Sequence, residues 1–322
     1  MLGFGDAWLE SRTHITSHGM HCICLSRFSE LRLRLVPSGF AMLTFNHLER
    51  GFGLETNDVD LSQPIDALLF AEIEQTFYRG QVLVLRGQKL LPRQFLDFAE
   101  RMGRPEPHVI DQFHHPEHPE ILVLSNVKNM GEPTGLADAG TYWHTDYSYL
   151  AQPAKATLLY SIQVPEIGGD TLFANMRVAY DDLPDAMKRR IDRMVTLNIY
   201  GNRDDLDEQS RTAASALNKD QWDKMAVVRH PLVRPHPATG QKALYAVSGT
   251  SMGIVGVPQD EAIDLLNELT AHATQPKYQL RLKYGVGDVV IWDNPSLLHS
   301  ATLTDPQFPR TLHRITVTEW AI

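Results

Sequence analysis

Two histidines and one aspartate in this chain have the types and spacing of a metal site. A single residue separates His144 from Asp146, and His299 follows far downstream. On a β-strand, residues i and i+2 point to the same face. The spacing therefore predicts a strand end that aims His144 and Asp146 at one point, to which the fold must return His299. Two imidazoles and one carboxylate can bind one face of an octahedral ion, as in non-haem Fe(II) oxygenases.

Two arginines close to His299 could bind organic anions beside such a metal. Arg310 and Arg314 are four residues apart, so on one strand they would share a face. The apolar neighbours Leu312 and Ile315 indicate a partly buried strand, where a guanidinium needs a carboxylate or a similar partner. A His-x-Asp pair is common by chance, but its combination with a distal histidine and these arginines is a specific signal.

The elements that must position these residues are mostly short strands. Apolar runs typical of strands occupy 81–86, 121–124, 157–162, 170–173, 243–247, 280–284, 288–292 and 312–319. Helical spacing occurs at 63–79, 91–102 and 258–273. The glycine-rich residues 128–141 predict a loop before the metal motif. Many short strands separated by Gly and Pro turns predict a mainly β fold of the double-sheet or barrel type.

We expect a single domain at residues 42–322, with a charged helical insertion at about 181–227. Residues 1–41 differ in composition and contain both cysteines of the chain, but they lack the apolar core of a secretory signal. Two interpretations of this extension stay open. It is either a disordered segment or misassigned start, with Met42 as the working initiator, or a helical arm at an oligomer interface.

The composition limits the partners and the compartment. The chain has 322 residues, 43% of them hydrophobic, and a formal net charge of −9. This charge argues against nucleic-acid binding, which needs a basic face. No apolar run approaches the roughly 20 residues of a membrane span. The absence of cysteine after Cys24 favours a reducing compartment, so we expect a cytoplasmic protein. A homo-oligomer, dimer or tetramer, is compatible with the sequence.

The motifs resemble those of the taurine/2,4-dichlorophenoxyacetate (TauD/TfdA) family of Fe(II)- and 2-oxoglutarate-dependent dioxygenases, with matching order and spacing over roughly residues 45–322. The matching pieces are Trp143-His144-Thr145-Asp146-Tyr147-Ser148-Tyr149, Gly168-Gly169-Asp170-Thr171-Leu172-Phe173, Trp292-Asp293-Asn294 with His299, and Arg310 to Arg314. The resemblance implies a double-stranded β-helix (the cupin-like jelly roll) with peripheral helices.

The same resemblance implies the ligands of the metal and of the cosubstrate. His144, Asp146 and His299 match the Fe(II) ligands and so form the catalytic centre. Thr171 and Arg310 match the groups that hold the distal carboxylate of 2-oxoglutarate. The second cosubstrate is O2, and the expected products of 2-oxoglutarate are succinate and CO2.

The substrate site resembles the family in its anion-binding residues but departs from the taurine-acting members. Arg314 matches the residue that binds the anionic group of the substrate, and His108 falls near a second substrate-contacting position. Taurine-acting relatives have an aromatic side chain in the region of Thr250 and an asparagine near Gly140, and this chain has neither. We therefore expect hydroxylation of a different small anionic substrate, a carboxylate or sulfonate with a larger or more apolar body.

Two other function classes remain open on the residues alone. One is a metal-dependent cupin-type enzyme that does not use 2-oxoglutarate, and the other is a non-catalytic metal-binding relative. Arg310 and Thr171 argue against the first, and the complete ligand set argues against the second. The histidines of the segment 114–118 could suggest zinc, but a solvated, proline-broken loop is the better interpretation of that segment.

Overall fold

The computed structural model describes residues 43–48, 51–137, 139–200, 217–223 and 225–319. The predicted extension at residues 1–41 lies outside these ranges, as does residue range 201–216 within the predicted insertion. The described residues from Leu43 onward belong to one unit by their contacts.

Short strands alternate with a few helices along the described chain. The strands are β1 (Asn46–His47), β2 (Leu54–Thr56), β3 (Val82–Leu85), β4 (Arg104–Pro105), β5 (Leu122–Ser125), β6 (Lys128–Asn129), β7 (Glu132–Pro133), β8 (Ala156–Gln163), β9 (Thr171–Asn175), β10 (Val195–Asn198), β11 (Val228–Pro231), β12 (Val233–Pro235), β13 (Lys242–Leu244), β14 (Ser251–Ile254), β15 (Gln279–Leu282), β16 (Val289–Asp293), β17 (Leu297–Ala301) and β18 (Thr311–Thr318). The helices are α1 (Ala67–Gly80), α2 (Pro92–Met102), α3 (Met176–Asp181), α4 (Asp185–Ile191), α5 (Lys219–Asp223) and α6 (Gln259–Ala273).

Two sheets carry the residues of interest. The larger has the order β1-β2-β3-β16-β8-β18-β4, with β5 also paired to β18. The smaller has the order β15-β9-β17. Neighbours in both sheets are antiparallel except β2 and β3, which are parallel. Neighbouring strands within a sheet are often distant in sequence. In contrast, β17 and β18 are consecutive along the chain but lie in different sheets.

Alternating side chains on the central strands divide the interior into layers. On β3, Val82 and Val84 join a core cluster that also contains Phe173 of β9 and Leu297 of β17. The alternate residues Leu83 and Leu85 point to the other face of the sheet, into a second cluster. Because successive residues of a strand face opposite ways, one continuous apolar run supplies both layers. The first cluster lies between the two sheets, where the predicted metal motif also lies.

Helices cover the outer face of each sheet. Ile73 and Phe77 of α1 and Phe95 of α2 pack in the cluster on the outer side of the larger sheet. A third cluster joins α3 and α6 to Ala174 of β9 and Leu298 of β17, on the outer side of the smaller sheet. These layers confirm the predicted mainly β architecture with helices outside. None of the helices in the described ranges combines the length and apolar character needed to cross a membrane.

The predicted helical insertion is a mixed segment. Residues 181–227 include α4 and α5, but they also include β10, which pairs with β11 and β14. The helical prediction is therefore wrong at Val195–Asn198. This stretch alternates partly exposed Val195 and Leu197 with buried Thr196 and Asn198, which is the period-2 pattern of a strand. The predicted loop at 128–141 contains the small hairpin of β6 and β7.

Candidate active site

His144 and His299 lie side by side as a backbone pair. The N–H of each residue donates to the carbonyl of the other, at 3.0 and 2.9 Å, which makes an isolated antiparallel bridge between His144 and β17. The chain turns immediately afterwards, and Tyr147 has a left-handed φ of 52°. The prediction that His144 and Asp146 share a strand face is therefore wrong. The two side chains converge because Asp146 lies in the turn that follows the bridge.

The three donors come close enough to bind one ion. His144 Nε2 lies 3.6 Å from Asp146 Oδ1, and His299 Nε2 lies 3.5 Å from Asp146 Oδ2. One ligand atom from each residue lies within 4.8 Å of the others, and no other group of three His, Cys, Asp or Glu side chains in the described ranges does the same. The fold thus brings together the three residues that the sequence selected, although His299 is far away along the chain.

The hydrogen bonds and charges around these residues suit a divalent cation. His144 Nδ1 lies 2.7 Å from the Tyr142 carbonyl, so this nitrogen donates and Nε2 is the ring nitrogen that faces the metal position. Burial lowers the pKa of His299 to about 3, which keeps its imidazole neutral. Burial alone would raise the pKa of Asp146, but the charge of the Arg314 guanidinium outweighs it and holds that pKa well below the usual value. Two neutral imidazoles and an ionised carboxylate are the forms that bind metal.

Two glycines leave room for the His144 side chain. A Cβ at Gly140 would lie 2.7 Å from His144 Cε1, and a Cβ at Gly249 would lie 2.7 Å from His144 Cβ. Both glycines have a left-handed φ, of 73° and 75°. Neither position can carry a side chain without displacing the histidine, so the glycines fix where the imidazole lies.

Replacing Gly140 with alanine should therefore weaken metal binding. We expect Gly140→Ala to lower Mn(II) affinity at least about tenfold, the lower end of the usual effect of disturbing a ligand's support. Gly256→Ala is the matched control, because Gly256 has a similar φ of 74° but no atom within 4 Å of its Cβ position. Both variants should lose roughly 1–2 kcal/mol of stability from the left-handed backbone. Equal Mn(II) affinity in calorimetric titrations of the two would contradict this role of Gly140.

The predicted 2-oxoglutarate residues line the same cavity as the three metal-binding candidates. Arg310 lies immediately before β18, and Thr171 begins β9. A Cβ at Gly169, whose φ is 69°, would lie 3.0 Å from Arg310 Cδ, so the glycine turn leaves space along the guanidinium stem. The Thr171 hydroxyl lies 2.7 Å from the hydroxyl of Tyr284. Burial raises the pKa of Tyr284 to about 12, so it remains a neutral phenol.

Arg314 enters this cavity from β18, but its position relative to Asp146 was not foreseen. Its Nη2 donates to Asp146 Oδ1 at 2.6 Å, and its guanidinium lies 5.8 Å from the centre of the Tyr147 ring. His108 also lines the cavity. Its Nδ1 accepts the N–H of Ile110, so Nε2 carries the proton. Burial, followed by the charge of Arg314, lowers the pKa of His108 to about 3.

Aromatic side chains that the sequence analysis did not select form much of the cavity wall. These residues are Tyr142, Tyr147, Tyr149 and Tyr200. Tyr149 makes edge-on contacts with Tyr147 and Tyr200, at ring distances of 5.6 and 4.7 Å. Three of the four lie in or beside the metal motif, which was the available signal. Thr250 lines the cavity as a small polar residue and pairs with the Ser148 hydroxyl at 2.6 Å.

Other histidines and one tryptophan near the site make packing contacts or local hydrogen bonds. In the described structure His114 bonds to the His108 carbonyl, and His115 accepts the N–H of Glu117. The ring of His313 contacts that of His115 at 5.5 Å, outside the cavity. Trp292 packs against His299 at 4.8 Å between ring centres. Trp292 therefore lies beside the metal-binding candidates, whereas His114, His115 and His313 do not line the cavity.

A jelly-roll-like pair of sheets with a His, Asp and His cluster between them defines the class of metal-dependent cupin-like oxygenases. Comparison with known proteins specifies the family. Residues 44–316 match the family model described as taurine catabolism dioxygenase TauD, TfdA family. The chain therefore belongs to the TauD/TfdA family.

Individual relatives agree with this assignment. The chain is 30% identical to the alpha-ketoglutarate-dependent 2,4-dichlorophenoxyacetate dioxygenase of Cupriavidus pinatubonensis, over 86% of this chain and 98% of the relative. It is 29% identical to an alkylsulfatase of Acinetobacter baylyi, over 85% of this chain and 84% of the relative. The solved structure of AAD-2 in complex with Mn(II) and N-oxalylglycine has a TM-score of 0.71 and 26% identity, covering 87% of this chain and 98% of AAD-2. A taurine dioxygenase from Burkholderia xenovorans has a TM-score of 0.69 and 30% identity, covering 86% and 91%.

These comparisons confirm the expected fold and reaction class. The chain has the double-stranded β-helix of its structural relatives. It is a non-haem iron, 2-oxoglutarate-dependent dioxygenase, and it uses Fe(II), 2-oxoglutarate and O2. The alternatives of a cupin-type enzyme without 2-oxoglutarate and of a non-catalytic metal-binding relative are set aside.

Proposed function

We propose that this enzyme hydroxylates a small anionic organic substrate, a carboxylate or sulfonate, and converts 2-oxoglutarate to succinate and CO2. The observation that carries the proposal is the position of Arg314. Its side chain is 12% exposed and lines the cavity that also contains the three metal-binding candidates and Arg310. Asp146 pairs with this guanidinium, but in this proposal the same carboxylate also binds the iron, so a second cation beside the anion-binding Arg310 favours a second anionic ligand.

In this proposal His144, Asp146 and His299 hold the iron. The donor set fits, because two imidazole nitrogens and one carboxylate face a common point. Iron, when bound there, supplies the activation of O2 for the oxidation of a C–H bond. The protein supplies geometry and a cavity walled by aromatic and aliphatic side chains, which limits the access of water to that reaction.

Arg310 and Thr171 hold the distal carboxylate of 2-oxoglutarate. A guanidinium and a hydroxyl that line one side of the cavity can both donate to a carboxylate, and the charge-assisted bond is the stronger of the two. Tyr284 holds the Thr171 hydroxyl in position through the 2.7 Å contact. The lack of a side chain at Gly169 lets the Arg310 stem lie against the turn.

Arg314 and His108 bind the anionic group of the primary substrate. Arg314 supplies the positive charge. His108 is neutral and presents its Nε2 proton, because its Nδ1 is occupied by the Ile110 N–H. A neutral imidazole can donate a hydrogen bond to an anion without adding a second charge to the pocket. The rest of the substrate would lie against the tyrosine-lined wall.

The wall supports a substrate body larger and more apolar than that of taurine. Leu124, Leu136 and Leu159 line the cavity together with the four tyrosines. Such a surface stabilises an apolar or aromatic body by burial, at about 25 cal/mol per Å². The relatives named for 2,4-dichlorophenoxyacetate and for alkyl sulfates have anionic substrates in their names, which is compatible with this choice.

The substrate prediction is tested by a panel assay of succinate formation. Sulfonates, phenoxyacetates, sulfate esters and small carboxylic acids are compared with Fe(II) and 2-oxoglutarate present. We expect at least one anion with an apolar body to exceed taurine about tenfold or more in kcat/KM, because burying two or three extra methylene groups contributes more than 1.4 kcal/mol. Succinate formation without substrate measures the uncoupled background. Taurine as the best substrate of the panel would contradict the prediction.

A further inference from the structure

Three buried residues form a closed ring of hydrogen bonds at Asp146. The Asp146 N–H donates to Asn294 Oδ1 at 3.3 Å, and Asn294 Nδ2 donates to the Thr157 hydroxyl at 2.9 Å. The Thr157 hydroxyl in turn donates to Asp146 Oδ2 at 2.7 Å. Thr157 and Asn294 have no solvent exposure. Every polar atom of this ring therefore has its partner inside the protein.

A second set of hydrogen bonds reaches Oδ1, the other carboxylate oxygen of Asp146. Arg314 Nη2 donates to Asp146 Oδ1 at 2.6 Å, and Arg314 Nε donates to the Thr316 hydroxyl at 3.3 Å. The hydroxyls of Thr316 and Thr157 are 3.3 Å apart. Because the single proton of Thr157 is given to Asp146, Thr316 must be the donor of this pair. Each carboxylate oxygen of Asp146 thus accepts one hydrogen bond from a different strand residue.

The ring is built on the central strands of the larger sheet. Thr157 lies on β8 opposite Trp292 of β16 and Thr316 of β18, so it is at the centre of the larger sheet. Asn294 follows β16 directly. Its neighbour Asp293 is fully buried and accepts from Arg177 and His236 at 3.0 and 2.9 Å. Residues on or next to paired strands hold a neighbouring side chain in one geometry better than loop residues do.

We propose that Thr157, supported by Asn294 and Thr316, is a positioning residue that fixes the plane of the Asp146 carboxylate for the metal. The torsion about the Cβ–Cγ bond of aspartate is soft, so an unsupported carboxylate samples a broad range of planes. Arg314 alone cannot fix the plane of the Asp146 carboxylate, because the proposed substrate anion competes with Asp146 for the same guanidinium. The Thr157 hydroxyl keeps its partner whether or not substrate is bound. This inference rests on the proposed metal-binding role of Asp146.

The test is Mn(II) affinity, measured by calorimetric titration of the full metal-free chain. Thr157→Val keeps the shape but removes the hydroxyl, and we expect a 10- to 100-fold weaker Kd, the usual cost of losing an outer-shell partner. Thr157→Ser restores the hydroxyl and should bind within about threefold of the wild type.

The matched control is Thr196→Val. Thr196 is also fully buried, and its hydroxyl also donates to an oxygen, the His230 carbonyl, while accepting from an amide, that of Asn198. Both valine variants should have a lower melting temperature without metal, and Thr157→Val should lose more because its hydroxyl also donates to a carboxylate. Only Thr157→Val should lose Mn(II) affinity. This comparison separates positioning of the ligand from general stabilisation of the fold.

Each outcome decides the proposal. Thr157→Val with wild-type Mn(II) affinity would overturn the positioning role and leave the proposed function intact. Wild-type protein that binds no Mn(II) would overturn the proposed function together with this inference. If Thr157→Val does not fold, Asn294→Ala carries the test: it should bind Mn(II) about tenfold more weakly, and unchanged affinity would refute the ring as a positioning device.

Discussion

Asp146→Asn is expected to abolish substrate-dependent turnover and to lower Fe(II) affinity by at least about 100-fold. Loss of an outer-shell partner alone typically costs 10- to 100-fold in metal affinity, and here the ligand itself becomes neutral. Asparagine is the variant of choice because it has the shape of aspartate. Its amide oxygen can still accept from Thr157 or Arg314, which both contact the carboxylate.

The folding of the variant needs its own measurement. Asp146 neutralises the buried Arg314, and breaking a buried ion pair costs about 3–5 kcal/mol because it leaves an uncompensated charge. Circular dichroism should show that Asp146→Asn is folded at the assay temperature, with a lower melting temperature than the metal-free wild type. Folded Asp146→Asn that binds Fe(II) and turns over like the wild type would remove Asp146 from the metal site.

The second large effect concerns the two arginines, whose alanine variants should each weaken the binding of a different ligand. Arg310→Ala should weaken 2-oxoglutarate binding by about 2–5 kcal/mol, the range for removing one partner of a buried hydrogen-bonded charge pair, which is about 30- to 5,000-fold. Arg314→Ala should raise the KM of the primary substrate at least about tenfold and change the affinity for 2-oxoglutarate much less. Each variant is the control for the other, since both remove a guanidinium from the same cavity.

Binding of 2-oxoglutarate is measured by titration and substrate KM by succinate formation. Because Arg314 also donates to Asp146, its alanine variant should be assayed at saturating Fe(II) to keep metal loss out of the comparison. Loss of 2-oxoglutarate binding in Arg314→Ala with retention in Arg310→Ala would mean that the two arginines have been assigned to the wrong ligands.

Local patterns predicted β3 and β16 of the larger sheet well because these strands are buried on both faces. Val82–Leu85 and Val289–Asp293 are apolar runs bounded by turns, and both are strands. The metal-binding candidates were also found from sequence, since a His-x-Asp pair, a distal histidine and two arginines form an uncommon combination. The conformation at Asp146 was not predicted. The i, i+2 spacing agrees with a strand, but a left-handed residue at position 147 produces a turn instead.

Contacts between distant segments account for what sequence reasoning missed. Thr157 lies on β8 and Asn294 directly after β16, and the pairing of these two strands brings both residues to Asp146. Tyr200 lies well beyond the metal motif and reaches the cavity through the fold. The ion pair of Arg314 with Asp146 depends on the pairing of β18 with β8 and β5, which no spacing along the chain reveals.

The most direct test of the central claim is the visible absorption of the anaerobic protein titrated with Fe(II) and then 2-oxoglutarate. Chelation of Fe(II) by the keto acid at the site of His144, Asp146 and His299 should produce a weak charge-transfer band. We predict a band that requires both components, saturates at one 2-oxoglutarate per chain and is lost in Asp146→Asn. A wild-type protein that binds both components without this band, or an Asp146→Asn variant with an unchanged band, would contradict the proposed site.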